Sequence, residues 1–147
     1  MKIGEDYIGI SVVYFCHDGN GNFLMQKRGA NCRDENGRWD IGAGAVEFGM
    51  SVEDTLKTEI MQEYSTWPIN SEFLGYRNIQ RTNDETTKTH WVTLDFKALV
   101  DPERVANGEP HKFDEIGWFN LKEIPSPVHS QLPDFLRRYK ERLLSKL

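Results

Sequence analysis

Glu59 and Glu63 stand four residues apart in the run Val52–Tyr64, and Gly44 closes a glycine-rich stretch, Gly42-Ala43-Gly44, shortly before it. Side chains at i and i+4 lie on the same side of a helix. Two carboxylates held that close repel each other unless a positive charge sits between them, and a hard divalent cation such as Mg²⁺ meets that need. The chemistry favoured is metal-assisted attack on a phosphate compound. Carboxylates hold the ion, and a further base stands near the attacking water. Arg28, at the end of the run Phe23–Arg28, carries a planar fork of donors that suits phosphate oxygens.

These groups need elements to hold them. Ser51 is a good N-cap, with Asp54 three residues on, so the spacing predicts a helix over Val52–Tyr64. Its apolar stripe is Val52, Leu56, Ile60 and Tyr64, and Pro68 stops any continuation. Glu59 and Glu63 flank that stripe, so they should sit at the edge of the packed face, partly shielded from water. Tyr7–Cys16, rich in β-branched and aromatic residues, reads as a buried strand. Phe23–Arg28 reads as the returning strand of a hairpin across the turn formers His17–Asn22. Trp39–Ile41 reads as a short strand leading into a glycine turn, Gly42–Gly44. Phe73–Arg81 and His90–Val100 read as two longer strands joined by the tip Thr82–Lys88. Pro102–Phe113 reads as a loop, Glu115–Phe119 as a short strand and Asp134–Lys146 as a final helix. The element pattern is that of one α+β or mixed α/β domain.

The stretch Gly44–Tyr64 resembles the Nudix box, the signature of the Nudix hydrolase superfamily (the MutT-like proteins). The likeness extends to Gln26-Lys27-Arg28, to Trp39-Asp40-Ile41-Gly42, and to Gly117–Leu121 followed by Ile124-Pro125. It implies a single domain over residues 1–147, an α/β/α sandwich with a mixed β-sheet between helices. It implies Mg²⁺, with Mn²⁺ as a substitute, held by the Gly44 carbonyl, Glu59, Gln62 and Glu63. It aligns Arg28 with an arginine that contacts substrate phosphates. It looks for the catalytic base on a loop before the late strand, where Asp114 and Glu115 are the closest acids and Glu109 is a weaker candidate. Four box positions depart from the pattern. Met50 stands for a glutamate, Thr58 for an arginine, Gln62 for a glutamate and Ser65 for a glycine. Met50 and Thr58 remove both members of a structural pair, which a fold tolerates better than the loss of one. Gln62 offers oxygen without charge, which should weaken metal affinity.

The implied activity is hydrolysis of a phosphoanhydride in a nucleoside triphosphate, or in a nucleoside diphosphate linked to another group (a pyrophosphatase). The alternative is a Nudix-fold module that binds a nucleotide or regulates, with turnover impaired. The expected partner is a small nucleotide-type diphosphate. A net charge of −5 over 147 residues argues against nonspecific binding to nucleic acid or an anionic membrane. No apolar run approaches the ~20 residues needed to span a bilayer. Glu5 and Asp6 precede the first apolar stretch, unlike a signal peptide. Cys16 and Cys32 read as free thiols, which together place the protein in the cytoplasm. Many relatives form homodimers, and the resemblance leaves that state open here. His90, His111 and His129 lack a ligand-like spacing, and Trp39, Trp91 and Trp118 read as core more readily than as base-stacking platforms.

Overall fold

Val12, Tyr14 and Cys16 alternate along one strand with Val13 and Phe15, and the two sets enter different cores. This strand, β1 (Gly9–His17), is therefore buried on both faces, which is why it reads as a near-continuous apolar run. In the computed structural model, which describes residues 1–83 and 85–145, Val12, Tyr14 and Cys16 pack on Leu56, Ile60 and Tyr64 of α1 (Val52–Tyr64). Val13 and Phe15 pack on Leu132 and Phe135 of α2 (Leu132–Arg138) and Leu143 of α3 (Lys140–Leu144). Each fully buried Leu or Ile of this kind contributes about 1.5–3 kcal/mol. The sheet thus lies between helices, the mixed α/β arrangement expected.

Among the described residues, seven strands make up the sheet. They are β1, β2 (Asn22–Arg28), β3 (Trp39–Asp40), β4 (Gly42–Ala45), β5 (Asn70–Asn83), β6 (Thr87–Leu99) and β7 (Phe113–Asn120). The hairpin expected between the first two strands is only one rung deep, His17 opposite Phe23. Beyond that rung both edges of β1 are taken, by β6 in parallel and by β4 antiparallel. β2 instead lies between β3 and β7. The turn itself holds because the Asp18 carboxylate accepts from the Asn20 and Asn22 amides and from Asn22 Nδ2.

A second difference concerns the glycines. Gly42–Gly44 is not a turn but most of β4, in register with Tyr14, Val13 and Val12. A Cβ on Gly42 would fall 1.9 Å from the Tyr14 ring, so glycine here permits close approach rather than a bend.

α1 has the bounds expected. Ser51 Oγ accepts from the Asp54 amide (3.1 Å), and Ser65 ends the helix in the left-handed region (φ 59°), where the resembled pattern has glycine. The last helix begins at Leu132 and breaks at Tyr139, whose hydroxyl donates to Asp95 Oδ2 (2.6 Å). Asp84 in the expected tip and Lys146 at the expected helix end lie outside the described residues. Cys16 and Cys32 are free and buried, and no described helix is long and apolar enough to cross a membrane.

Candidate functional site

The site is assembled from β4, the side of α1 that faces it and the loop before β7. Gly44 lies directly against Glu59, since a Cβ there would fall 2.3 Å from Glu59 Cδ. Glu59 is half-buried, and its carboxyl is raised by burial, lowered by Lys112, and raised again by Glu109 and Glu47. Glu63 is deeper than the sequence suggests, at 1% exposure, and accepts a hydrogen bond from the Tyr14 hydroxyl on β1. Burial pushes its carboxyl up to about 8, while the Tyr14 hydrogen bond and Lys112 pull it down. One residue on, the Tyr64 hydroxyl donates to the buried Gln26 of β2, which ties the helix to that strand as well as to β1. Gln62 lies exposed on the solvent side of the same turn.

The loop Pro102–Phe113 docks on the C-terminal turn of α1. The Ala106 and Gly108 amides donate to the Tyr64 and Glu63 carbonyls (both 3.0 Å), satisfying groups the helix leaves unpaired. Gly108 is required by contact, because a Cβ there would fall 2.1 Å from the Gln62 carbonyl oxygen. This docking aims Glu109 and Lys112 at the acid pair, with Lys112 Nζ 3.9 Å from Glu63 Oε2. Glu115 lies in β7 opposite Lys27, within the strand expected for it, and Asp114 lies in β7 too rather than on the preceding loop; both are exposed. The loop acid that raises both Glu59 and Glu63 is Glu109.

Gly44 and Lys112, the neighbours of the acid pair, also line a cleft of about 470 Å³ together with Arg28, Asp40 and Trp91 among others, while Glu59 and Glu63 themselves do not line it. Its floor is Val13, Ala43, Ala45, Ile79 and Phe135, where α2 stops short of covering the sheet. Arg28, expected on phosphate, is held by Asp34 through its Nε to the carbonyl (3.0 Å) and its Nη2 to Oδ1 (2.9 Å). Asp34 also pairs with Arg81 (3.0 Å), and Arg81 with Glu35 (2.7 Å). Asp40, beside them, has its carboxyl raised by burial, with His129 and Arg28 lowering it.

Two features of the cleft are not legible as spacing in the sequence. His129 Nε2 lies 2.8 Å from Glu35, and its Nδ1 accepts from the Gln131 amide (3.1 Å), so the hydrogen bonds place the ring proton on Nε2. Asp34, Glu35 and His129 form a group of potential ligand atoms within 4.8 Å of one another. It already holds its own cation, because Arg81 contacts both acids. Trp91 lines the cleft with the Arg33 guanidinium 5.9 Å above its ring, and the indole packs against Gly4 and Gly9. Only folding brings these residues, 58 positions apart in the case of Arg33 and Trp91 (91 − 33), to one place.

A divalent cation fits the Glu59–Glu63 pair on three observations. Glu63 is a buried carboxyl that burial raises to about 8, because Tyr14 and Lys112 only partly offset the cost of its charge. Gly44 leaves room where any side chain would displace Glu59. Lys112, the cation facing Glu63, stays beyond hydrogen-bond distance at 3.9 Å.

The family model of the NUDIX domain matches residues 8–139. The fold is similar to that of a MutT NUDIX hydrolase from Burkholderia pseudomallei, at 21% identity over 90% of this chain and 98% of that one (TM-score 0.76). It is similar to a MutT protein from Methanosarcina mazei Go1, at 21% identity over 94% and 96% (TM-score 0.77). It is also similar to the NUDIX domain of Shewanella oneidensis NrtR complexed with ADP ribose, at 18% identity over 97% and 90% (TM-score 0.72). An acid pair seated on a glycine strand beside a cleft is thus found on a chain that belongs to the NUDIX family.

Proposed function

We propose that the protein is a divalent-metal-dependent pyrophosphohydrolase. Its substrate is a nucleoside triphosphate, or a nucleoside diphosphate linked to another group, cleaved by water at a phosphoanhydride. The observation that carries this reading is the buried Glu63, with Glu59 against Gly44, where Gly44 also lines a cleft carrying guanidinium groups and an indole.

Glu59 and Glu63, with the Gly44 carbonyl, would hold Mg²⁺ or Mn²⁺, and Gln62 would orient water from the solvent side. A bound ion would draw charge from the phosphates and lower the pKa of a coordinated water. Tyr14 orients Glu63 by its hydrogen bond, and Gly44 leaves the space in which Glu59 lies. Glu109, anchored by its amide to Asn107 Oδ1 (3.0 Å), is the loop acid placed to take a proton from water. Asp114 and Glu115 face solvent along β7 and are second choices for that role. Arg28 would meet a phosphate oxygen by exchanging its Asp34 contact. Trp91 and the apolar floor would take the base.

A second reading is a module that binds a nucleotide without turnover. Gln62, uncharged and exposed, favours it by leaving only Glu59 and Glu63 as carboxylates among the ligand positions of the helix. The NrtR domain of similar fold was crystallised with ADP ribose, which makes that ligand the natural probe. A hydrolysis screen over nucleoside triphosphates, nucleotide sugars, dinucleoside polyphosphates and ADP ribose, with Mg²⁺ or Mn²⁺, separates the readings. Turnover that Glu63→Gln abolishes supports the enzyme. Tight binding with no turnover at high metal supports the module.

A further inference from the structure

Lys112 is fixed at its backbone and loose at its head. Its amide donates to the Glu109 carbonyl (2.9 Å), and its carbonyl accepts from the Gly29 amide (2.9 Å) and from Cys32 Sγ (3.2 Å). Its side chain is 39% exposed, crosses the Phe113 ring at 5.3 Å, and ends 3.9 Å from Glu63 Oε2. That distance is an ion pair without a hydrogen bond, so the ammonium is attracted to the acids yet not locked on them. Lys112 also lines the cleft, together with Arg28 and Gly44. It therefore reaches both the acid pair and the place where a phosphate would lie.

We propose that Lys112 is a tethered counter-cation of the Glu59–Glu63 pair. It keeps two neighbouring acids tolerable while no divalent ion is present, yields when one binds, and then meets the substrate's phosphate from the cleft side. The inference rests on the reading of Glu59 and Glu63 as ion ligands given above. Its physical content is a competition between cations. An ammonium near two carboxylates offsets part of their repulsion, and that same ammonium repels an incoming divalent ion. A lysine suits the exchange because its four-carbon stem lets one charge move between positions while the backbone stays still. Loss of Lys112 should then strengthen ion binding, the opposite of what loss of an ordinary site residue does.

The test is Mn²⁺ binding to the full chain without nucleotide, read from the free-ion electron paramagnetic resonance signal, in wild type, Lys112→Met, Lys112→Arg and Glu63→Gln. Lys112→Met is expected to bind Mn²⁺ roughly three- to tenfold more tightly, the gain limited by the lysine's exposure. Lys112→Arg, which keeps the charge, is expected to match wild type. At saturating Mn²⁺, methylene diphosphonate should bind Lys112→Met several-fold more weakly. Unchanged or weaker Mn²⁺ binding in Lys112→Met, with binding lost in Glu63→Gln, overturns the counter-cation while leaving the metal site standing. A diphosphonate affinity that does not fall overturns the phosphate role. Mn²⁺ binding that survives Glu63→Gln places the ion elsewhere and overturns both this inference and the reading beneath it.

Discussion

Glu59 occupies the space that a side chain on Gly44 would need, with Cδ 2.3 Å and Oε2 2.5 Å from where that Cβ would be. The obstacle is the flexible end of a glutamate, not backbone, so Gly44→Ala should fold with a melting temperature near wild type. The carboxylate must move, however. Mn²⁺ affinity is expected to fall by about tenfold or more, as for other losses of ligand orientation. Parallel thermal melts and Mn²⁺ titrations check this, and an unaffected affinity would mean that Glu59 is not a ligand.

The Glu63 carboxyl sets a pH dependence with a definite sign. In the ion-free protein burial pushes it up to about 8, from an ordinary value of 4.5. Between those values the folded chain keeps a proton that the unfolded chain has lost. Stability therefore falls as pH rises through that window and levels off above it. An entering divalent ion must displace the same proton, so its affinity should rise about tenfold per pH unit below about 8. Mn²⁺ titrations across pH 6–8.5 (roughly one decade per unit at the low end) read the slope.

Tyr14→Phe removes the hydrogen bond that lowers the Glu63 value. It is expected to move the rise in Mn²⁺ affinity to higher pH and to cost about 1–3 kcal/mol of stability. Urea unfolding and the same Mn²⁺ titrations measure the two effects. A midpoint that does not move would exclude Tyr14 from tuning the acid.

The helix, its cap and its apolar stripe were legible because they depend on residues within a few positions of one another. Ser51, Leu56, Ile60 and Tyr64 behave as the 3.6-residue period dictates. The depth of Glu63 was not legible, because it depends on Tyr14, 49 residues away. Gly42 and Gly44 were read as a turn because glycine usually marks one. Their role is instead to let the Tyr14 ring and Glu59 approach β4, a tertiary cause with no local signature. Asp114 looked like a loop acid because β7 begins at Phe113, earlier than its apolar core suggests. The Arg28–Asp34–Arg81–Glu35–His129 network of polar contacts joins the stretch 28–35 to residues 81 and 129 and follows from no spacing rule.

Asp95 is fully buried and bonded to Arg77 (2.8 and 3.1 Å), the Tyr139 hydroxyl (2.6 Å) and Thr93 (3.0 Å). Asp95→Ala leaves the buried Arg77 guanidinium with only the Gln131 carbonyl (3.3 Å) and the more distant Asp134 (3.9 Å), and frees the break between α2 and α3. The expected loss is about 3–5 kcal/mol in urea unfolding. A loss below about 1 kcal/mol would show that water replaces the carboxylate.

Trp91→Ala should leave Mn²⁺ affinity unchanged, because the indole lies in the cleft and away from the acid pair. Nucleotide affinity is expected to fall about five- to a hundredfold, the range for one lost base–aromatic stack. Equilibrium titration with ADP ribose and with nucleoside triphosphates compares the two. Equal affinity in both proteins would place the base off Trp91.

Anomalous diffraction from crystals grown with Mn²⁺ tests the central claim most directly. The expected result is a peak about 2.1 Å from carboxylate oxygens of both Glu59 and Glu63, beside Gly44. A peak confined to Asp34, Glu35 and His129, or none at saturating Mn²⁺, would contradict the account.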